Sequence, residues 1–135
     1  MCSIAGITNG GFEEVNKMLQ SMAHRAPDDF GVYTDRSISL GMGRLSIIDL
    51  KSKNLCPYEN NKIVLSFNGE VYNYKSLRSD LKKIGYKFYT SSDTEVLAHA
   101  WDKWGRDIFK KIKGMFVSLF LKKKQKIIYC TGYTW

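Results

Sequence analysis

The sequence is poor in residues that would cross-link it or hold a metal. Three cysteines, Cys2, Cys56 and Cys130, are spread through 135 residues, an odd count without ligand spacing that speaks against a disulfide framework or a cysteine-built metal site. The two histidines, His24 and His99, also lack a Cys/His partner at metal-binding spacing, so no metal is expected. No apolar run is long enough to span a bilayer, and no basic-then-apolar leader precedes Ser3. Those absences argue against a membrane-bound or exported chain and for a reducing cytoplasm. Internal repeats, low-complexity segments and linkers are missing too, and the length suits one domain.

What is present is ordinary for a globular protein: 44% hydrophobic and 25% charged residues. The formal charge of +8 raises the question of nucleic acid, but the lysines form no stripe. Lys82-Lys83, and Lys110-Lys111 with Lys113, stand at the ends of helical patterns, where cations suit the helix dipole. Lys122-Lys123-Lys124 with Lys126 falls between two apolar runs, as a hairpin tip would. No nucleic-acid module pattern appears, and no nucleic-acid partner is expected.

Hydrophobic spacing predicts a strand over 3–8, a helix over 12–23 burying Val15, Met18, Leu19 and Met22, and a structured loop over 24–31. Strands follow at 31–34 and 37–45, the latter running on to Leu50, and Lys51–Lys62 reads as an exposed loop. Ile63–Phe67 has the composition of a buried strand halted by a tight turn at Asn68-Gly69, with Val71–Asn73 beyond it. A second helix carries Leu77, Leu81 and Ile84 to a stop at Gly85, ahead of a short strand at 87–89. Ser92 and Glu95 have capping-box spacing before a third helix that buries Val96, Leu97, Ala100 and Trp104. A hairpin of 115–121 and 125–130 is the last legible unit. Tyr72, Tyr74, Phe88 and Trp101 read as core and sheet packing, His24 as a structural loop residue and His99 as a partly exposed helix residue. Helices that interrupt strands in groups imply an α+β fold, with antiparallel sheet covered by helices.

The chemistry gathers in a few stretches. Cys2 directly follows Met1, so removal of the methionine leaves a thiol and a free α-amine on one residue. Their ordinary pKa values, about 8.5 and about 8, both lie close to working pH. A terminal nucleophile paired with its own amine is a recognised way to activate it. Cys2 is followed by Arg44-Leu45-Ser46-Ile47-Ile48-Asp49, Phe67-Asn68-Gly69-Glu70-Val71-Tyr72-Asn73 and Ser92-Asp93-Thr94-Glu95. In this ordered set the chain resembles the glutaminase domain of class II glutamine amidotransferases, which are N-terminal-nucleophile hydrolases. The resemblance runs from Met1 to about Tyr129. Arg-Leu-Ser-Ile-Ile-Asp, Phe-Asn-Gly-Glu-Val-Tyr-Asn-Tyr and the loop His24-Arg25-Ala26-Pro27-Asp28 point, within that class, to glutamine-hydrolysing asparagine synthetases.

That resemblance implies an αββα sandwich of stacked antiparallel sheets, incomplete here, over residues 1–130, with 131–135 as a divergent tail. It implies catalytic roles for Cys2 as nucleophile and for the Asn68 side chain and Gly69 N–H as an oxyanion hole. The missing Cβ of Gly69 is expected to let the ligand approach its backbone. L-Glutamine is the implied substrate: Arg44 would hold its carboxylate, and Asp93, assisted by Glu70, its ammonium group. Taken singly, each of these three reads better as a surface ion pair or, for Asp93, as part of a helix cap. No cofactor is implied for this stretch, since ATP and magnesium belong with a synthetase domain whose pyrophosphate loop is not in the sequence. The implied partner is such a domain, or a separate ammonia-accepting subunit.

Three departures stand out. Ala26 occupies a position where the family usually has glycine, and a need for positive φ there would strain the loop. Met42-Gly43 replaces a polar and then a charged residue ahead of Arg44. The sequence also leaves the family's pattern after Cys130. The competing expectation is a catalytically inactive fragment acting as an interaction module through exposed strand edges.

Overall fold

The computed structural model describes residues 2–45, 57–124 and 127–133, the last stretch by its backbone alone. Met1, the expected continuation over 46–50, the first half of the expected loop over 51–62 with Cys56, and Lys126 lie outside the described residues.

Strands β1 (Ser3–Thr8), β2 (Asp29–Thr34) and β3 (Ile38–Arg44) form an antiparallel sheet in the order β1-β3-β2. Strands β4 (Tyr58–Glu59), β5 (Ile63–Val71), β6 (Gly114–Lys122) and β7 (Ile127–Tyr133) make a second, also antiparallel, in sequence order. The alternation along β3 explains how they stack. All of β3 is buried, and its Ser39, Gly41 and Gly43 form the face turned to helix α1 (Phe12–Ser21). A Cβ on Gly41 would stand 2.5 Å from Val15 Cγ1 and 2.9 Å from Leu19 Cδ1, so the helix lies directly on the glycine. The opposite face carries Ile38 and Leu40, which meet Val64 and Leu121 of the second sheet.

Beyond the second sheet, Ile63, Leu65, Phe67, Phe116 and Phe120 pack with helices α2 (Tyr74–Lys83) and α3 (Asp93–Trp104) through Leu77, Leu81, Val96, Leu97 and Trp101. Trp101 stacks on Phe120 with ring centroids 4.3 Å apart; burying a large apolar side chain of this kind contributes roughly 1.5–3 kcal/mol. The layers are therefore helix, sheet, sheet, helices, the α+β sandwich expected. Among the described residues no helix is long and apolar enough to cross a membrane.

Several local expectations need correction. Asn68-Gly69 is not a turn: β5 continues to Val71, with Asn68 opposite Val117 and Gly69 opposite Phe116. Its partner β6 arrives from far along the chain, so no reversal is needed there. No strand forms at 87–89, because the Glu95 carboxylate takes the N–H groups of Tyr89 and Thr90 at 3.0 and 2.8 Å. Tyr58–Glu59, in the expected exposed loop, forms a short strand on β5, with Tyr58 buried. Helix α1 stops at Ser21, a 3-10 turn over Ala23–Arg25 follows, and Met18 is exposed. Ile84 caps α2 from an exposed position. Trp104 is only partly buried against the core. Strand β2 starts two residues early, at Asp29, and β7 extends past Cys130, which pairs with Leu119, to Tyr133.

Candidate functional site

The chain ends of three strands and the start of one helix meet at one end of the sandwich. Cys2 precedes β1 on the strand face opposite Ser3 and Ala5, packed against the core between sheet and helices. Its Sγ lies 3.8 Å from the carbonyl oxygen of Leu45. Arg44 ends β3, Asn68-Gly69-Glu70 lie near the end of β5, and Asp93 opens α3. All six predicted site residues, Cys2, Arg44, Asn68, Gly69, Glu70 and Asp93, line a single cavity of about 290 Å³. That is at the lower edge of the range for small-molecule sites, about 300 Å³. Met42, Tyr72, Ser92, Thr94 and Met115 complete most of its wall.

Gly69 takes φ +139°, a conformation that side chains rarely tolerate. The space where a Cβ would sit is already filled by the backbone of β6, including Met115 O and, at 2.5 Å, Phe116 Cα. Strand pairing, rather than approach of a ligand, therefore demands glycine here. Beside it, the buried amide oxygen of Asn68 has no hydrogen-bond partner among the described residues.

Asp93 is almost fully buried, and its Oδ2 accepts the N–H of Val71 at 3.0 Å. It thus joins the start of α3 to the end of β5, directly after the Asn68-Gly69-Glu70 run. Burial pushes the Asp93 carboxyl up, and the charge of Glu70 adds to that; the N–H groups of Val71 and Thr94 pull it down without cancelling the rise. Arg44, 7% exposed, lines the same cavity. One guanidinium and two carboxylates lining one cavity complement a zwitterion that presents a carboxylate and an ammonium group.

Two departures noted in the sequence meet each other in space. Ala26 has φ −142° and ψ 70°, so no left-handed conformation is required and its Cβ is not strained. It is buried against Gly43: a Cβ on Gly43 would stand 2.8 Å from Ala26 Cβ and 2.5 Å from Ser3 Oγ. Glycine at 43 makes the room that alanine at 26 occupies. Met42 has its own task, since its sulfur accepts the N–H of Phe67 at 3.4 Å and ties β3 to β5 just before Asn68.

Other expectations fall elsewhere. Tyr72 was expected to pack into the core; it is 55% exposed and lines the cavity mouth. Met115, also exposed, was not singled out, and only its alternation along β6 hinted that it faces away from the helices. His24 is exposed on the 3-10 turn, outside the cavity. His99 packs on Tyr86 and Phe88, 3.6 Å from Glu95. Ser46-Ile47-Ile48-Asp49 of the arginine motif lies outside the described residues.

A sequence model of the glutamine amidotransferase domain matches residues 1–131. Asparagine synthetase [glutamine-hydrolyzing] 1 of Bacillus subtilis is 36% identical over 96% of this chain, which covers 22% of that relative. A putative asparagine synthetase [glutamine-hydrolyzing] 2 of Methanocaldococcus jannaschii is 34% identical over 97% of this chain and 30% of its own length. The chain thus spans between a fifth and a third of the length of these relatives. Among solved structures, a glutamine phosphoribosylpyrophosphate amidotransferase from B. subtilis superimposes with a TM-score of 0.69, at 22% identity, over 91% of this chain and 35% of that one. An allosteric regulatory enzyme of purine biosynthesis does so with a TM-score of 0.66, at 23% identity, over 91% and 36%. The likeness to these two shows the shared fold. With the family model covering nearly the whole chain, this protein belongs to the glutamine amidotransferase domain family.

Proposed function

We propose that this chain is the glutaminase half of an asparagine-synthetase-type enzyme, hydrolysing the side-chain amide of L-glutamine to glutamate and ammonia. The observation that carries this reading is the convergence of Cys2, Arg44, Asn68, Gly69, Glu70 and Asp93 on one cavity, at the end of a sandwich that starts at Cys2.

Once Met1 is removed, the α-amine of Cys2 takes the thiol proton and the thiolate attacks the amide carbon. Negative charge then builds on the amide oxygen, where the Asn68 side-chain NH₂ and the Gly69 N–H donate to it. The proton passes from the α-amine to the leaving nitrogen, ammonia departs, and a thioester remains on Cys2. The amine next deprotonates water, whose attack on the thioester releases glutamate and restores the thiol. Arg44 binds the substrate carboxylate, while Asp93 and Glu70 hold its ammonium group. Because burial raises the Asp93 pKa, that carboxyl must be ionised to serve, and an incoming cation favours its ionisation.

The ammonia acceptor is a synthetase domain or a separate subunit, and ATP and magnesium belong to that part. A free thiol nucleophile suits a reducing, cytoplasmic setting. The test is glutamate release by the purified, Met1-processed chain, with Cys2→Ala as control. Release that depends on Cys2 is expected. A folded, processed chain that releases none refutes the reading and leaves an interaction module.

A further inference from the structure

We propose that Glu95 is a positioning residue for the glutamine pocket: its buried carboxylate fixes the loop that presents Ser92 and Asp93. This rests on the glutaminase reading for its kinetic consequence, not for its geometry.

Glu95 is 1% exposed and does not line the cavity. At its position in the sequence it promised only the second half of a capping box. The structure uses it otherwise. Ser92 Oγ accepts the N–H of Thr94 at 3.0 Å, capping α3 by itself. Glu95 turns back toward the loop, where its oxygens accept Tyr89 N–H at 3.0 Å, Thr90 N–H at 2.8 Å and Thr90 Oγ1–H at 2.7 Å. Two basic side chains flank the carboxylate: the Arg78 guanidinium at 3.7 Å and the His99 imidazole at 3.6 Å. Arg78 is itself held, lying over the Phe88 ring at 4.4 Å and donating to the carbonyl oxygen of Thr90.

Buried charge is costly to desolvate, and an apolar residue would serve a helix face at lower cost. The loop explains the charge. Residues 86–92 belong to no helix or strand, so no ladder sets their path, and Glu95 supplies the acceptors a strand partner would have supplied. From Thr90 the constraint passes on, since Thr90 Oγ1 accepts the N–H of Ser92 at 3.3 Å. Asp93 follows, with its carboxylate on Val71 N–H at 3.0 Å. A carboxylate that must meet both that N–H and a substrate ammonium tolerates little displacement.

Two variants test this. Thr90→Val keeps the shape and removes both side-chain bonds; Glu95→Gln keeps the shape and removes the charge. Each is expected to raise KM for glutamine about tenfold with kcat within about twofold of wild type. Amide exchange at Val71 reads the Asp93 contact without any activity and is expected to speed up, while Leu65 in the middle of β5 is unchanged. Unchanged KM and Val71 exchange in both variants would overturn the proposal. A parallel loss of kcat, Leu65 protection and thermal stability would also overturn it, by showing that Glu95 serves the fold alone. If wild type hydrolyses no glutamine, the glutaminase reading fails, and Val71 exchange still decides the role of Glu95.

Discussion

Substituting Gly69 by alanine separates two demands on that residue. The first is conformational: φ of +139° lies where a side chain is strained, at a cost of about 1–3 kcal/mol. The second is steric, because the new methyl overlaps Met115 O and Phe116 Cα, backbone atoms of a paired strand that have no rotamer to change. Forcing extra volume into a packed site costs about 1–3 kcal/mol more. The sum is about 2–6 kcal/mol. At about 4 °C per kcal/mol for a chain of this length, the midpoint should fall by at least about 8 °C. Gly85 is the control: its φ is +98° but no atom of the described residues lies within 4 Å of an added Cβ, so Gly85→Ala carries strain alone, about 1–2 kcal/mol. Thermal unfolding followed by circular dichroism compares the two directly. A Gly69→Ala midpoint no lower than that of Gly85→Ala would refute the claim that β6 backbone occupies the site.

Arg44→Ala and Asp93→Asn are expected to raise KM for glutamine far more than they lower kcat, since the proposed function has both hold the unreacting end; a normal KM in both would sink those assignments. Asn at 93 can still accept the Val71 N–H, so its effect isolates the charge. Gly43→Ala should destabilise by about 1–3 kcal/mol through its clash with Ala26 and Ser3, and adding Ala26→Gly should recover part of the loss. Additive effects in that double-mutant cycle would dissociate the two positions. For acid stability, burial alone would raise the Glu95 carboxyl, but the His99 imidazole 3.6 Å away and hydrogen bonds from Thr90 and the Tyr89 N–H outweigh it and hold the pKa at about 2. A depressed folded pKa means stability present above pH ~4.5 and lost as pH falls toward 2, amounting to roughly 3 kcal/mol at most. Asp93, shifted upward, acts in the opposite sense, its protonation favouring the fold as pH drops. The stability gap between wild type and Glu95→Gln should therefore narrow on acidification in urea titrations. A gap that stays constant from pH 6 to the acid limit would show that the charge is not what Glu95 contributes.

The parts that were legible in the sequence were those that local pattern dictates. Leu77 and Leu81 marked α2, Ser92 marked the start of α3, and the apolar run over 115–121 marked β6. Cys2, Arg44, Asn68, Gly69, Glu70 and Asp93 were found through their order, and the fold brings them to one cavity. What escaped depends on distant partners. Asn68-Gly69 has the composition of a turn but pairs with β6, and Glu95 has the spacing of a cap but serves the 89–90 backbone. The fit of Ala26 into the space at Gly43 joins residues on separate elements, which no window along the chain contains.

The most direct test of the central claim is intact mass after exposure to a glutamine-shaped electrophile that alkylates nucleophilic thiols. A chain lacking Met1 that gains a single adduct, mapped to Cys2, protected by excess glutamine and absent in Cys2→Ala, is expected. A folded chain without Met1 that stays unlabelled, or that labels equally in Cys2→Ala, would contradict it.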